Sequence, residues 1–229
     1  RAAGILTPIL VLGATDTSET DGFVEHDVIP TVANLSFAQA LAEAAARQGK
    51  TALFHVKLDT GMGRQGVRPE EIAQFAQGIR ALPHAKATGV FSHFANSAGD
   101  DEFTREQTQC FREGSETLRK ELGSPPRGEG LLRHLANSGG VAFHADTWFD
   151  AVRPGGICYG INRYDRPCPI VARQVMSLHA RIVTTKTLEP GDSVGYDRAF
   201  VAQRKTRTAV LPLGYADGYP RSASGKGHV

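Results

Sequence analysis

The stretch HVKLDTGMGRQGV at residues 55–67 begins as a strand and ends in a loop of closely spaced glycines. Successive side chains on a strand point to opposite faces, so His55, Lys57 and Asp59 share one face while Val56 and Leu58 occupy the other. Three polar groups facing one way suggest a lined site at a strand end. The plainer alternative is a half-buried strand with a solvated face running into a turn.

Outward from this stretch, short β-branched or apolar runs recur: PILVLGA (8–14), VIPTVAN (28–34), TALFHVKL (51–58), KATGVFSHFA (86–95), RHLANS (133–138) and AVRPGGICYG (151–160). Between them, helices are expected over SFAQALAEAAARQ (36–48), PEEIAQFAQGIRAL (69–82) with Pro69 at its start, and DEFTREQTQCFREGSETLRKEL (101–122). That alternation calls for parallel strands joined by crossover helices. The polar segment TDTSETDGFVEHD (15–27) reads as a solvated loop. After PCPI (167–170) come VMSLHARIVTTKTL, DSVGYDRAFV and RTAVLPLGYADG, β-rich and without intervening helix. A boundary near residue 172 is therefore expected, dividing an α/β portion (1–172) from a β-rich one (173–229).

Six βα units are too few to close an eight-stranded barrel, but two more ahead of residue 1 would complete it. An open doubly wound sheet is the competitor. If it bound a dinucleotide it would usually carry a G-x-G-x-x-G turn after its first strand, and this sequence has none. The expected class is α/β: a partial (β/α)8 barrel with about six of its eight strands, followed by the start of a β-rich domain.

Composition narrows the function classes. With 229 residues, 41% hydrophobic residues and a net charge of +2, the chain can bury a large core and gives no sign of disorder. It has no Lys/Arg cluster to suit nucleic acid, and no apolar run near the roughly 20 residues of a membrane span. Cys110, Cys158 and Cys168 are odd in number and lack C-x-x-C spacing, so neither a disulfide framework nor a metal site is indicated. A reducing, cytoplasmic location is expected. RAAGI (1–5) reads as the last turn of a helix closed by Gly4, and RSASGKGHV (221–229) as a loop of turn-forming residues, so an internal fragment is expected.

Six blocks, KLDTGMGRQGV (57–67), FSHFANS (91–97), HLANSGG (134–140), VRPGGICYG (152–160), SVGYDRAF (193–200) and LPLGYADGYPR (211–221), make the chain resemble the alanine racemase family. The resemblance implies an eight-stranded α/β barrel, a β-rich C-terminal domain, pyridoxal 5'-phosphate (PLP) as cofactor, and a head-to-tail homodimer with shared active sites. Removing an amino acid's α-proton needs an electron sink, which PLP supplies, and racemisation needs a base on each face. Tyr196 matches the tyrosine base that the partner contributes. The lysine that binds PLP as a Schiff base is expected in the portion ahead of residue 1. From chemistry alone Lys57 would compete for that role. The resemblance instead matches it to a position where some members carry a carbamylated lysine that orients the active-site arginine.

The same resemblance assigns Arg64 to the cofactor's phenolic oxygen and the substrate carboxylate, tasks that suit a permanent planar cation. Asn137, Ser138, Gly155 and Gly156 fall among the cofactor-binding residues, with Ser138 and the two glycines at the phosphate. Taken singly, Ser138 is a helix N-cap and the glycines a turn. Arg153 matches the arginine that faces the pyridine nitrogen, and His93 the histidine that links this arginine to the catalytic tyrosine. Tyr215 matches a substrate-binding residue near the entrance. Asp197 stands where many relatives have glycine, which puts the local loop shape in question. The implied function is interconversion of L- and D-alanine by two-base exchange, supplying D-alanine for peptidoglycan. The alternatives are a broad-specificity racemase, a noncatalytic PLP-binding barrel protein, and a barrel enzyme for sugar phosphates without PLP.

Overall fold

The structure is a computed structural model that describes residues 1–123, 130–161 and 164–227. It divides into two compact units, Arg1–Val175 and Met176–Val229.

The first unit is built on a parallel sheet of β1 (Thr31–Val32), β2 (Ala52–Lys57), β3 (Ala85–Phe91) and β4 (Leu132–His134), paired in chain order. The runs at 8–14 and 151–160 flank this sheet by single parallel bridges, Leu10 to Ile29 and His134 to Ala151. All six runs of the sequence therefore take consecutive places, but the outer two pair too briefly to be strands. Sequential parallel pairing with helices on one side is the architecture of a barrel wall.

The helices follow the sequence periodicity. Helix α2 (Leu35–Arg47) starts where Asn34 accepts a hydrogen bond from the Phe37 amide at 2.8 Å, and it buries Phe37, Ala38, Leu41, Ala44 and Ala45. Helix α3 (Ile72–Arg80) is entered through a 3-10 turn at Pro69–Glu71, since proline at a first helical turn forfeits no bonded amide. Helix α4 (Asp101–Glu121) is capped by Asp100, with acids in its first turn and Arg119 and Lys120 in its last, as the helix dipole favours. Its buried stripe is largely small or polar, and Gly114 lets it approach α3 so closely that a Cβ there would lie 2.7 Å from Ile72 Cδ1.

Segment 15–27 departs from the expected loop. Asp16 caps a 3-10 turn at Thr17–Glu19 that continues as α1 (Thr20–Glu25). Tertiary packing explains this: Val24 is buried, and the Phe23 ring meets Phe37 of α2 edge-on at 6.4 Å. Two apolar residues in an acidic segment suffice to dock a short helix. At residues 1–5 a single turn is present, with Gly4 at φ +74° and its amide bonded to the Arg1 carbonyl.

In the second unit, β5 (Thr184–Leu188) pairs antiparallel with β8 (Thr206–Val210), and β6 (Ser193–Val194) with β7 (Phe200–Val201). Leu188 and Ala202 are its buried apolar residues among those described. Arg221–Ala223 forms a 3-10 turn within the expected terminal loop, whose last two positions, 228 and 229, lie outside the described residues.

Candidate active site

From Phe54 to Lys57 of β2, neither face is solvated. Phe54, Val56 and Leu58 enter the helix-side core, while His55 and Lys57 are also buried on the opposite side. The plain reading of residues 55–59 as a half-exposed strand fails because neighbouring strands supply matching groups. In register, Lys57 lies beside Phe91 of β3, and Phe91 beside His134 of β4. All stand at the C-terminal ends of parallel strands, the end at which barrels of this kind carry their sites.

Phe91 is the hub. Lys57 Nζ lies 4.7 Å from its ring centroid, the Arg153 guanidinium 5.1 Å, and the His134 imidazole stacks on it at 4.8 Å with 7° between planes. The negative face of an aromatic ring accommodates cations there without a counter-charge. Burial, then Arg153 and Arg64, push the Lys57 ammonium down to about 7, with Asp59 opposing. His93 falls to about 4 through burial and the cations Arg153, Lys57 and Arg64.

Arg153 is held closely. Nη1 donates to His134 Nδ1 at 2.7 Å and to the His134 carbonyl at 2.8 Å; Nη2 donates to the carbonyls of Ser92 at 2.6 Å and Leu135 at 3.1 Å. A guanidinium has five N–H groups, so all four Nη hydrogens are committed and Nε–H is left for a ligand. Burial lowers this arginine to about 10, which leaves it charged at neutral pH. The resemblance gives His93 the link between Arg153 and the tyrosine; in the structure the histidine hydrogen-bonded to Arg153 is His134, and His93 lies near enough to feel the charge of Arg153. Sequence reasoning missed His134 and Phe91, although both lie inside the quoted blocks. The available signal was alternation: Phe91 and His93, like His134 and Ala136, share one parity on adjacent strands.

The loop after β2 explains the glycine spacing. Asp59 Oδ1 accepts from the amides of Gly61 and Gly63, each at 3.0 Å, and the Asp59 amide donates to the Val67 carbonyl at 2.9 Å. Gly66, at φ +132°, brings its Cα so close that a Cβ would stand 2.5 Å from the Asp59 nitrogen. Gln65 ties the loop to the first run by accepting from the Ala14 amide and donating to the Leu12 carbonyl. Arg64 is exposed on this pinned loop and acts electrostatically on both Lys57 and His93. The loop after β3, which carries His93, is braced from α4: buried Gln107 donates to the His93 carbonyl and accepts from the Ala95 amide.

After β4, helix α5 (Ser138–Phe143) is capped by Asn137, whose Oδ1 accepts from Gly140 N at 3.0 Å and from Ser97 Oγ at 2.7 Å. Ser138, which taken singly reads as the cap, is the first helical residue. Its hydroxyl is thereby released to accept from the Ile157 amide at 3.4 Å, joining it to the segment of Gly155 and Gly156. A Cβ on Gly155 would meet nothing within 4 Å.

In the second unit, Tyr196 is 93% exposed at the tip of the β6–β7 hairpin, and Tyr215 is 72% exposed in a 3-10 turn. Neither is an aromatic anchor of its own unit. Asp197 adopts φ +57°. This explains why glycine suits that position and why aspartate, which tolerates the left-handed region better than most residues, can replace it. Among the described residues no cluster of His, Cys, Asp or Glu could hold a metal, and no helix is long and apolar enough to cross a membrane.

Residues 1–163 match the family profile "Alanine racemase, N-terminal domain" and residues 175–229 "Alanine racemase, C-terminal domain". The alanine racemase of Desulfovibrio desulfuricans is 38% identical over all of this chain and 61% of its own length; that of Halothermothrix orenii is 36% identical over all of this chain and 60% of its own. The chain thus spans about three-fifths of the curated relatives it matches. Among solved structures, an alanine racemase from Streptomyces lavendulae superposes with a TM-score of 0.85 at 33% identity, covering 99% of this chain and 60% of that one. A histidine racemase from Leuconostoc mesenteroides gives 0.81 at 27%, covering 98% and 60%. With both domain profiles matched in order, and its parallel sheet carrying the site at the strand ends, the chain belongs to the alanine racemase family.

Proposed function

We propose that the protein carrying this sequence is a PLP-dependent racemase that interconverts L- and D-alanine by two-base proton exchange. The carrying observation is the donor set of Arg153, whose committed Nη hydrogens leave one N–H for the edge of a planar ring. The remaining residues fit the same cofactor. Ser138 Oγ and the amides around Gly155, Gly156 and Ile157 suit a phosphate, with Asn137 fixing the turn that presents them. Arg64 suits the phenolic oxygen and the substrate carboxylate. When bound, PLP supplies the electron sink for a deprotonated α-carbon.

The protein's own residues do the rest. A guanidinium at the ring nitrogen keeps that nitrogen unprotonated, which moderates the sink and limits side reactions. Tyr196 Oη takes or returns the α-proton on one face. Neutral His93, lying among Arg64, Lys57 and Arg153, is the imidazole that would hydrogen-bond that phenol and link it to Arg153. A lysine outside these 229 residues serves the other face. Burial, then Arg153 and Arg64, bring Lys57 down to about 7, so its neutral amine would add CO₂ with release of one proton to solvent, and the resulting carbamate would be balanced by Arg64 and Arg153.

The exposure of Tyr196 and Tyr215 supports their delivery to the site of a second copy, in a homodimer, with Tyr215 near the substrate entrance. A division of the chain into barrel (1–172) and β-rich (173–229) portions, a cytoplasmic location and a role in supplying D-alanine for peptidoglycan belong to the same reading. The likeness to a histidine racemase favours one second reading, a racemase of broader specificity on this fold.

The test is D-alanine formation from L-alanine by the PLP-loaded protein, with Tyr196→Phe as its control. The variant should keep the cofactor absorption and lose about 10²–10⁴-fold in rate in both directions. A folded, PLP-loaded protein without turnover would defeat the assignment, and faster turnover of histidine, serine, lysine or arginine would select the broader racemase.

A further inference from the structure

Two buried histidines, His55 and His134, have no role in the proton exchange proposed above. His55 on β2 and His134 on β4 are two strands apart, yet His55 Nδ1 and His134 Nε2 are separated by 2.8 Å. The intervening strand makes this possible. Gly89 of β3 stands in register with His55, and a Cβ there would collide with the His55 imidazole. His134 is held flat by its stack on Phe91, one pleat further along β3. The next link is the bond from Arg153 Nη1 to His134 Nδ1. A hydrogen-bonded line thus crosses the barrel interior from β2, over Gly89, to the run that carries Arg153.

We propose that His55 and His134 form a relay of two uncharged imidazoles that positions Arg153. Donor and acceptor logic fixes every proton in it. A guanidinium only donates, so His134 Nδ1 presents a lone pair and its proton resides on Nε2. That Nε2–H donates to His55 Nδ1, which must also be bare, leaving the His55 proton on Nε2. Protonating either ring places a hydrogen on a nitrogen that is accepting, so the relay exists only while both are neutral. Burial and then Arg153 hold His55 near 4, and burial, then Arg153, His55 and Lys57, hold His134 near 3, so Arg153 is the charged group that faces both rings. Glutamate or aspartate at position 134 would also accept from Arg153 but would cancel its charge; a neutral acceptor fixes the guanidinium and leaves its charge intact. The relay stands on the barrel geometry, and only its effect on the cofactor rests on the functional reading above.

The experiment records ¹⁵N shifts of histidine-labelled, PLP-loaded protein, together with its absorption spectrum. Both rings should show a bare Nδ1 and a protonated Nε2, unchanged from about pH 8 to 5.5. A protonated Nδ1 on either residue at neutral pH would overturn the relay. In His55→Leu, Arg153 still keeps His134 Nδ1 bare, so the tautomer should persist while the Nε2–H resonance shifts because it has lost its acceptor; an unmoved Nε2–H resonance would overturn the link between the two rings. His134→Leu should shift the absorption maximum of bound PLP, and His134→Gln, which can both accept and donate, should restore it; an unshifted maximum in His134→Leu would overturn the positioning of Arg153. If the unmodified protein takes up no PLP, the functional reading fails while the nitrogen shifts still decide the relay. The wild-type tautomers decide it equally if a variant does not fold.

Discussion

Three histidines of the barrel unit, His55, His93 and His134, are depressed to about 4, 4 and 3 by burial and by neighbouring cations. Each binds a proton in the unfolded chain near pH 6.5 but resists it when folded, so the unfolded state gains protons first as pH falls. The histidines' contribution to stability is accordingly full above about 6.5 and declines between there and 4. Carboxylates held low by partners, Asp21 by Arg47 and Asp101 by Arg166, weaken folding only further down, as they protonate below their ordinary values. Urea unfolding from pH 7 to 4.5 should show a falling midpoint with an unchanged denaturant slope, and His93→Gln should flatten part of that fall. A midpoint constant over this window would contradict the buried neutral state of the histidines. Lys57 acts with the same sign at higher pH: folded near 7 and unfolded near 10.5, it makes the native state firmer as pH rises between them.

Loops after strands carry the site, and their glycines divide into two physical kinds. Gly66 sits at φ +132° with backbone atoms of Leu58 and Asp59 where a side chain would be, so Gly66→Ala should destabilise the unit by about 1–3 kcal/mol and loosen Arg64. Gly155, at φ −77° with open space around it, should accept alanine without loss of stability. On the phosphate reading, Gly155→Ala should instead weaken PLP retention. Thermal unfolding and PLP titration of both variants separate the two effects; equal loss of stability would refute the distinction. This contrast also explains what could be read in advance. Strand order, α2, α3 and α4 were legible because periodicity and capping residues such as Asn34 and Asp100 act locally. Helix α1 was not, because its formation depends on Phe23 meeting Phe37. Nor was the His134–Arg153 bond, since nothing in the spacing 134 to 153 distinguishes it from His93 across the strand.

Across the whole molecule, the barrel unit carries Lys57, Arg64, Ser138 and Arg153, and the β-rich unit presents Tyr196 and Tyr215 to solvent. Large aromatic side chains this exposed lose nothing by pairing with another surface, and a two-fold dimer uses each such surface twice. The proposed shared site makes a prediction that a self-contained chain does not. Arg64→Ala disables the barrel contribution and Tyr196→Phe the β-unit contribution, so each variant alone should be inactive. A hetero-pair of the two, isolated by distinct affinity tags on each copy, combines an intact Arg64 from one with an intact Tyr196 from the other in one of its two sites. Its activity should therefore be about half that of the unmodified dimer, while the second site, carrying both changes, contributes nothing. If Tyr196 instead served the barrel of its own chain, both sites of the hetero-pair would each carry one lesion. The mixed pair would then be as inactive as its parents, and the exposed tyrosine would need another explanation.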